Sequence, residues 1–266
     1  MAAIAAHLPA GWVPVGQGVD FSKMAFPPSV ETKSRGFPMP APPKMATTTD
    51  AKEGLHIGID GLTTICGMPG SGKTNLLRNL VRANAKDYNL VMLLNPVMSD
   101  SNVTDINDYS WLPPDFKEDD PKKFTERIEE MKVFLTEHKN AHGLLILDDC
   151  RSYFNKNKAL FEEIGSINRK YRLSVVVIVQ FLQGSPTGFR QSVNQMYITS
   201  AAGKTPAIVS EVTNLPEREV MAICEEALTG DGTEHNVVRF NNVHGKPKFD
   251  VFKCPKAPIF ALRHHI

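Results

Sequence analysis

The sequence predicts an α/β fold in three layers, a mostly parallel central sheet with helices on both faces. Three observations lead there. Short, dense apolar runs, Leu90–Leu94, Leu144–Leu147 and Leu173–Val179, have the composition of strands covered on both sides. They alternate with stretches whose apolar residues recur at helical spacing. A glycine-rich turn, Gly67-Met68-Pro69-Gly70-Ser71-Gly72-Lys73-Thr74, joins a β-prone run, Leu62–Cys66, directly to a helical one, Asn75–Val81.

Taken in order, residues 1–50 carry prolines at 9, 14, 27, 28, 38, 40, 42 and 43 and read as an extended, flexible arm. Its aromatics Trp12, Phe21, Phe26 and Phe37 suit docking on a neighbour or lying across the chain's own domain. Apolar density rises from Leu55, and strand, glycine-rich loop and helix run to about Ala85. Leu90–Leu94 forms a second strand, followed by a polar insertion at 97–120 that Pro113-Pro114 interrupts. Pro121 opens a helix that Asp120 can cap, with Phe124, Ile128, Met131 and Leu135 on one face. The run Gly143–Leu147 is a strand ending in Asp148-Asp149. Leu160, Ile164, Ile167 and Tyr171 repeat the helical stripe, and Leu173–Val179 is a strand that stops at Gln180. Gly184–Gly188 reads as a turn and Gln195–Thr199 as a fifth strand. Pro216 opens a helix with Val220, Ile223, Ala227 and Leu228 on one face and Gly230 as its stop. Val237–Phe240 and Lys248–Phe252 suggest a hairpin at the sheet edge. The domain is thus expected over 51–252, between the arm and an irregular tail at 253–266.

The bulk numbers exclude several classes. At 266 residues the chain suits one large α/β domain with a tail. With Lys plus Arg at 30 and Asp plus Glu at 29, there is no global basic signature, so any contact with nucleic acid must be local. No apolar run approaches the roughly 20 residues that cross a bilayer. The start, Met1-Ala2-Ala3-Ile4-Ala5-Ala6, lacks the basic segment and longer apolar core of a secretory signal, so a reducing compartment is expected. Cys66, Cys150, Cys224 and Cys254 are scattered without metal-ligand spacing, and small buried core residues explain them.

The loop's spelling, G-x-x-x-x-G-K-[ST], carries a chemistry. Glycines at 67, 70 and 72 permit positive φ and close backbone approach, so the backbone from Gly67 to Asn75, with an N–H at each residue except Pro69, can turn toward phosphate oxygens at a helix N-terminus. Lys73 can reach β- and γ-phosphates, and the Thr74 hydroxyl suits Mg²⁺. Asp148 at the end of a buried strand calls for a charge partner, which Mg²⁺ on a nucleotide supplies, and Asp149 is then the candidate to polarise the attacking water. Taken alone, the same pair would cap a following helix. Gln180 ends a strand where parallel sheets put their sites and can contact the γ-phosphate or the water; an ordinary strand-terminal amide is the bland alternative.

The combination Gly67–Thr74, Leu144–Asp149, Arg169 and Gln180 resembles the FtsK/HerA superfamily of P-loop ATPases over about residues 55–200. Size and single domain are similar to its viral branch, the genome-packaging ATPases of poxvirus-like large DNA viruses, virophages and membrane-containing icosahedral viruses. The resemblance implies the P-loop NTPase fold of the additional-strand, RecA-like class, with ATP and Mg²⁺ as cofactors. It makes Lys73 and Thr74 the phosphate and Mg²⁺ residues, Asp148 the metal acid and Gln180 the γ-phosphate sensor. Arg169 matches the arginine finger inserted into a neighbouring subunit's site, with Arg172 and Arg190 as rivals. Many superfamily members have Asp-Glu where this chain has Asp148-Asp149, a departure often found in the packaging branch. The implied function is an ATP-driven double-stranded DNA translocase that fills a preformed capsid. It would act as a hexameric or pentameric ring with a capsid or portal-vertex partner, in the virion or infected-cell cytoplasm. Arg151, Lys156 and Lys158 are candidates to grip DNA, or form a solvated charged face. A nucleoside monophosphate kinase and a non-hydrolysing nucleotide-dependent assembly protein are the alternatives, while the N-K-x-D of small GTPases is absent, since Asn155-Lys156-Asn157-Lys158 lacks the Asp.

Overall fold

The computed structural model describes residues 55–84, 87–94, 121–150, 158–201, 203–228, 235–243, 249–254 and 256. The expected arm, the insertion at 97–120 and the cations Arg151 and Lys156 lie outside them. Strands β1 (Leu62–Cys66), β2 (Leu90–Leu94), β3 (Gly143–Asp148), β4 (Leu173–Val179) and β5 (Val193–Ile198) are followed by β6 (His235–Asn241) and β7 (Phe249–Cys254). The helices are α1 (Lys73–Asn84), α2 (Pro121–Glu137), α3 (Lys158–Tyr171), α4 (Thr187–Gln191), α5 (Thr205–Thr213) and α6 (Glu217–Leu228).

The strands form one sheet in the order β2-β3-β4-β1-β5-β6-β7. The first five are parallel, and β6 and β7 add as an antiparallel hairpin at the edge, as expected. Strand β4 stands between the strand feeding the glycine-rich loop and the strand ending in the acids, which is the arrangement of the additional-strand class of P-loop NTPases.

Side-chain alternation separates the two faces of the sheet. Leu145, Leu147, Val175, Val177 and Val179 face one cluster with residues of α2 to α6, whereas Leu144, Ile146, Val176 and Ile178 face another with Leu76, Leu77, Leu80 and Val81 of α1. Three layers follow directly. Ile128, Met131 and Leu135 of α2, and Leu160, Ile164 and Ile167 of α3, are buried as their spacing predicts. Every residue of β1 and β4 is buried, the signature of central parallel strands. Lys132 on α2 bridges to Glu163 of α3 at 2.7 Å. The hairpin is tied across by Arg239 and Asp250 at 2.7 Å, and β7 reaches α1 through Cys254, whose Sγ accepts from the Asn75 and Asn79 amides at 3.4 Å each.

Two differences from the sequence reading have local causes. Helix α5 has no counterpart in it, because Thr205-Pro206-Ala207-Ile208-Val209 is rich in residues of low helix propensity. Pro206 in its first turn and Asn214 beyond its end, at φ 59°, are the usual start and stop devices. The expected turn at 184–188 has Gly184 at φ 95° and passes straight into the short α4. Cys66, Cys150, Cys224 and Cys254 are buried thiols. Among the described residues no helix is long and apolar enough to cross a membrane.

Candidate nucleotide site at the carboxyl ends of the sheet

Register sets what meets at the top of the sheet. Asp148 pairs with Ile178, Cys66 with Val179, and Ile198 with Cys66, so β3, β4, β1 and β5 all end at one level. The residues next in sequence, Asp149, Gln180, Gly67 and Thr199, therefore share one rim, where open parallel sheets bind ligands.

The loop from Gly67 turns sharply, with Gly70 at φ 79° and Gly72 at φ 89°, values that other residues reach only under strain. Gly67 is required for another reason: a Cβ there would overlap Thr199 Oγ1 and stand 2.6 Å from Ser71 Oγ. Nothing lies within 4 Å of the corresponding point at Gly70, so the tip of the cradle is open. Helix α1 starts at Lys73, with Leu76 N–H donating to Gly72 O at 2.9 Å. Its first N–H groups have no acceptor within the helix and are the donors a phosphate needs. Lys73 Nζ donates back across the loop to Gly67 O at 2.7 Å and Met68 O at 2.9 Å. Burial lowers the lysine's pKa, and the nearby Asp148 opposes that shift.

Asp148 carries the strongest electrostatic signal at the rim. Burial first, then repulsion from Asp149, raises its carboxyl pKa to about 6, against the pull of Lys73 and the Asp149 N–H. A carboxylate so disfavoured gains from a cation, and with the partly buried Thr74 hydroxyl on the first turn of α1 it makes a donor set that fits Mg²⁺. Asp149 is exposed and left-handed at φ 50°, a conformation Asp tolerates better than most residues, and its N–H donates to Ile178 O at 3.3 Å. Gln180 sits between acids and loop: Gly67 N–H donates to Val179 O at 3.4 Å and Cys66 Sγ to Gln180 O at 3.4 Å. Lys73, Asp148, Asp149 and Gln180 are thus brought together. The Asn75 side chain turns to Cys254 instead, so its available contribution to a phosphate is its main-chain position in the first turn.

Sequence reasoning missed the far wall of the loop. Thr199 Oγ1 lies 2.6 Å from Ser71 Oγ, Thr199 N–H donates to Cys66 O at 2.9 Å, and Met68 N–H donates to Ser200 Oγ at 2.7 Å. Two hydroxyls ending a buried strand were the available signal, but only the strand order reveals that this strand lies beside the loop.

The arginines separate clearly. Arg169 is exposed on the last turn of α3, just before the start of β4, whereas Gln180 follows its end. A seven-residue strand spans roughly 20 Å, so Arg169 is not brought to its own chain's site. Its rival Arg172 is structural: at φ 51° it donates through Nη2 to Leu135 O at 2.8 Å and His138 O at 3.2 Å, closing the end of α2. Arg190 is engaged by Ser185 O at 2.7 Å and Glu211 at 3.2 Å. Arg172→Ala is therefore expected to cost about 1–2 kcal/mol of stability. Arg169→Ala should leave the thermal midpoint within a degree or so, as for other exposed substitutions. Paired thermal melts check both.

Comparison with known proteins fits this geometry. The genome packaging NTPase B204 from Sulfolobus turreted icosahedral virus 2 in complex with AMP superposes with a TM-score of 0.55 at 13% identity, covering 76% of this chain and 98% of that one. The same NTPase in complex with AMPPCP gives 0.54 at 14% identity, with 76% and 98% covered. B204, the DNA-packaging ATPase from Sulfolobus Turreted Icosahedral Virus, gives 0.53 at 14%, with 76% and 99% covered. At these identities the likeness is one of fold. No curated protein matches the chain. The family described as Poxvirus A32 protein matches residues 62–212, a span that holds the loop, both acids, Arg169, Gln180 and the Thr199-Ser200 wall. With more than half its length matched, the chain belongs to the Poxvirus A32 protein family.

Proposed function

We propose that the protein is an ATPase that drives double-stranded DNA into a preformed viral capsid, working as a hexameric or pentameric ring that engages a capsid or portal-vertex protein. The observation that carries this reading is the convergence of Lys73, Asp148, Asp149 and Gln180 at the ends of three adjacent strands, in a chain of this family. The loop and α1 hold the triphosphate, and Lys73 lies against its β- and γ-phosphates. Thr74 and Asp148 would hold Mg²⁺, which offsets negative charge on the phosphates when bound. Asp149 accepts a proton from, or orients, the attacking water, and Gln180 senses the γ-phosphate. Arg169, at the opposite end of the sheet, serves a neighbouring subunit's site, which makes the ring a catalytic requirement. The domain occupies 51–252, with β7 carrying two residues further to Cys254, between an N-terminal arm and a C-terminal tail. The protein acts in the virion or the infected-cell cytoplasm.

The test is ATP hydrolysis measured with and without double-stranded DNA on fractions of known solution mass. Activity confined to an oligomer and raised severalfold by DNA is expected. Full activity in a monomer, indifferent to DNA, would overturn the motor. Efficient formation of ADP from AMP plus ATP would mark a nucleoside monophosphate kinase instead.

A further inference from the structure

We propose that Ser200 is a positioning residue for Lys73, acting through the Gly67–Met68 peptide; the inference rests on reading the loop as a triphosphate site. Proton accounting around the loop leads to it. A hydroxyl has one proton to give. Thr199 Oγ1 stands 3.3 Å from Cys66 O and 2.6 Å from Ser71 Oγ, and whichever hydroxyl donates in the shorter contact, Ser71 Oγ is engaged by it. The Ser71 N–H donates to Met68 O at 3.2 Å. Ser71 is therefore occupied in holding the loop's own shape. Met68 N–H is held by Ser200 Oγ at 2.7 Å, from the neighbouring strand's end.

The peptide between Gly67 and Met68 is trans, as are the other described peptides, so its N–H and C=O point to opposite sides. Ser200 holds the N–H edge, and Lys73 Nζ is bonded to the C=O edge at 2.7 Å. One rigid plane thus links the serine to the lysine. The link matters because Gly67 lacks a Cβ and its own ψ barely restrains the plane. An external partner is what fixes the carbonyl toward Lys73. Ser200 can do so because Thr199, one residue before, is bonded to Cys66 O at 2.9 Å and continues the sheet. Without the serine hydroxyl, the Met68 N–H loses this acceptor, the plane can turn, and Lys73 loses one of the two carbonyls that aim it.

The experiment titrates the full chain and its S200A, S200T and S200C variants with a non-hydrolysable ATP analogue and Mg²⁺, beside thermal midpoints without nucleotide. S200A is expected to bind the analogue about tenfold more weakly, the loss of one hydrogen bond that aims a charged group. S200T keeps the acceptor and should stay within about twofold of the wild type, with S200C, a weaker acceptor, between. Nucleotide-free midpoints should be alike across the set. Wild-type affinity in S200A overturns the proposal, as does an S200T loss equal to that of S200A. If S200A does not fold, undiminished affinity in S200C overturns it equally. Failure of the wild type to bind the analogue would overturn the triphosphate reading itself, and the proposal with it.

Discussion

Asp149→Asn should leave ATP binding within about twofold of the wild type while lowering turnover by roughly 10²–10⁴-fold, the range for loss of a positioned proton acceptor. The separation follows from where the residue stands. Binding falls to the loop, α1 and Lys73, none of which bonds to the Asp149 side chain. Asp149 is exposed and projects beyond the β3 strand end. The left-handed backbone at φ 50° decides the choice of variant. Asn adopts that conformation about as readily as Asp, so the turn survives, whereas alanine would add strain of order 1 kcal/mol and confuse chemistry with folding. The measurement is kcat by phosphate release beside the affinity for ATP by titration. Unchanged turnover would remove Asp149 from the mechanism and leave it as a turn residue whose acid is incidental.

The parts of the site that were legible in the sequence are those whose signal is local. Gly70 and Gly72 announce positive φ, Lys73-Thr74 opens a helix, and the acids end an apolar run. The three-layer architecture was legible because buried parallel strands need apolar side chains on both faces, which leaves continuous runs such as Leu173–Val179. What was not legible depends on which strands become neighbours. Nothing local in Tyr197-Ile198-Thr199-Ser200 says that this strand pairs with β1, yet that pairing alone turns Thr199 and Ser200 into the wall of the loop. Arg172 shows the same limit: among basic residues at the end of α3, only tertiary contact distinguishes the one that closes α2 from the exposed Arg169. Helix α5 was hidden differently, since its residues favour strands intrinsically and burial of Ile208, Val209 and Val212 overrides that preference.

Asp148→Asn is expected to make the nucleotide-free protein more stable while removing Mg²⁺-dependent hydrolysis. The folded chain raises the Asp148 pKa to about 6, because burial and Asp149 disfavour its charge. In the unfolded chain the group titrates near 4, as ordinary aspartates do. A folded pKa above the unfolded one means that the fold prefers the protonated acid. Its favourable contribution is complete below about pH 4 and disappears as the pH rises through 6. At pH 7–8 the wild type therefore carries a buried charge that Asn does not. The variant should gain about 1–2 kcal/mol there, less than a full two-unit shift would give because the side chain is partly exposed. The gain should shrink through pH 6 and vanish near pH 4. Mg²⁺ with a non-hydrolysable ATP analogue should reverse the order, stabilising the wild type by more than the variant, since the carboxylate that burdens the empty fold is the one a cation rewards. Melting curves from pH 4 to 8, with and without analogue, carry the test. A variant no more stable than the wild type at pH 8 would mean that Asp148 is not strained, and equal stabilisation by Mg²⁺ and analogue would take it out of the metal site.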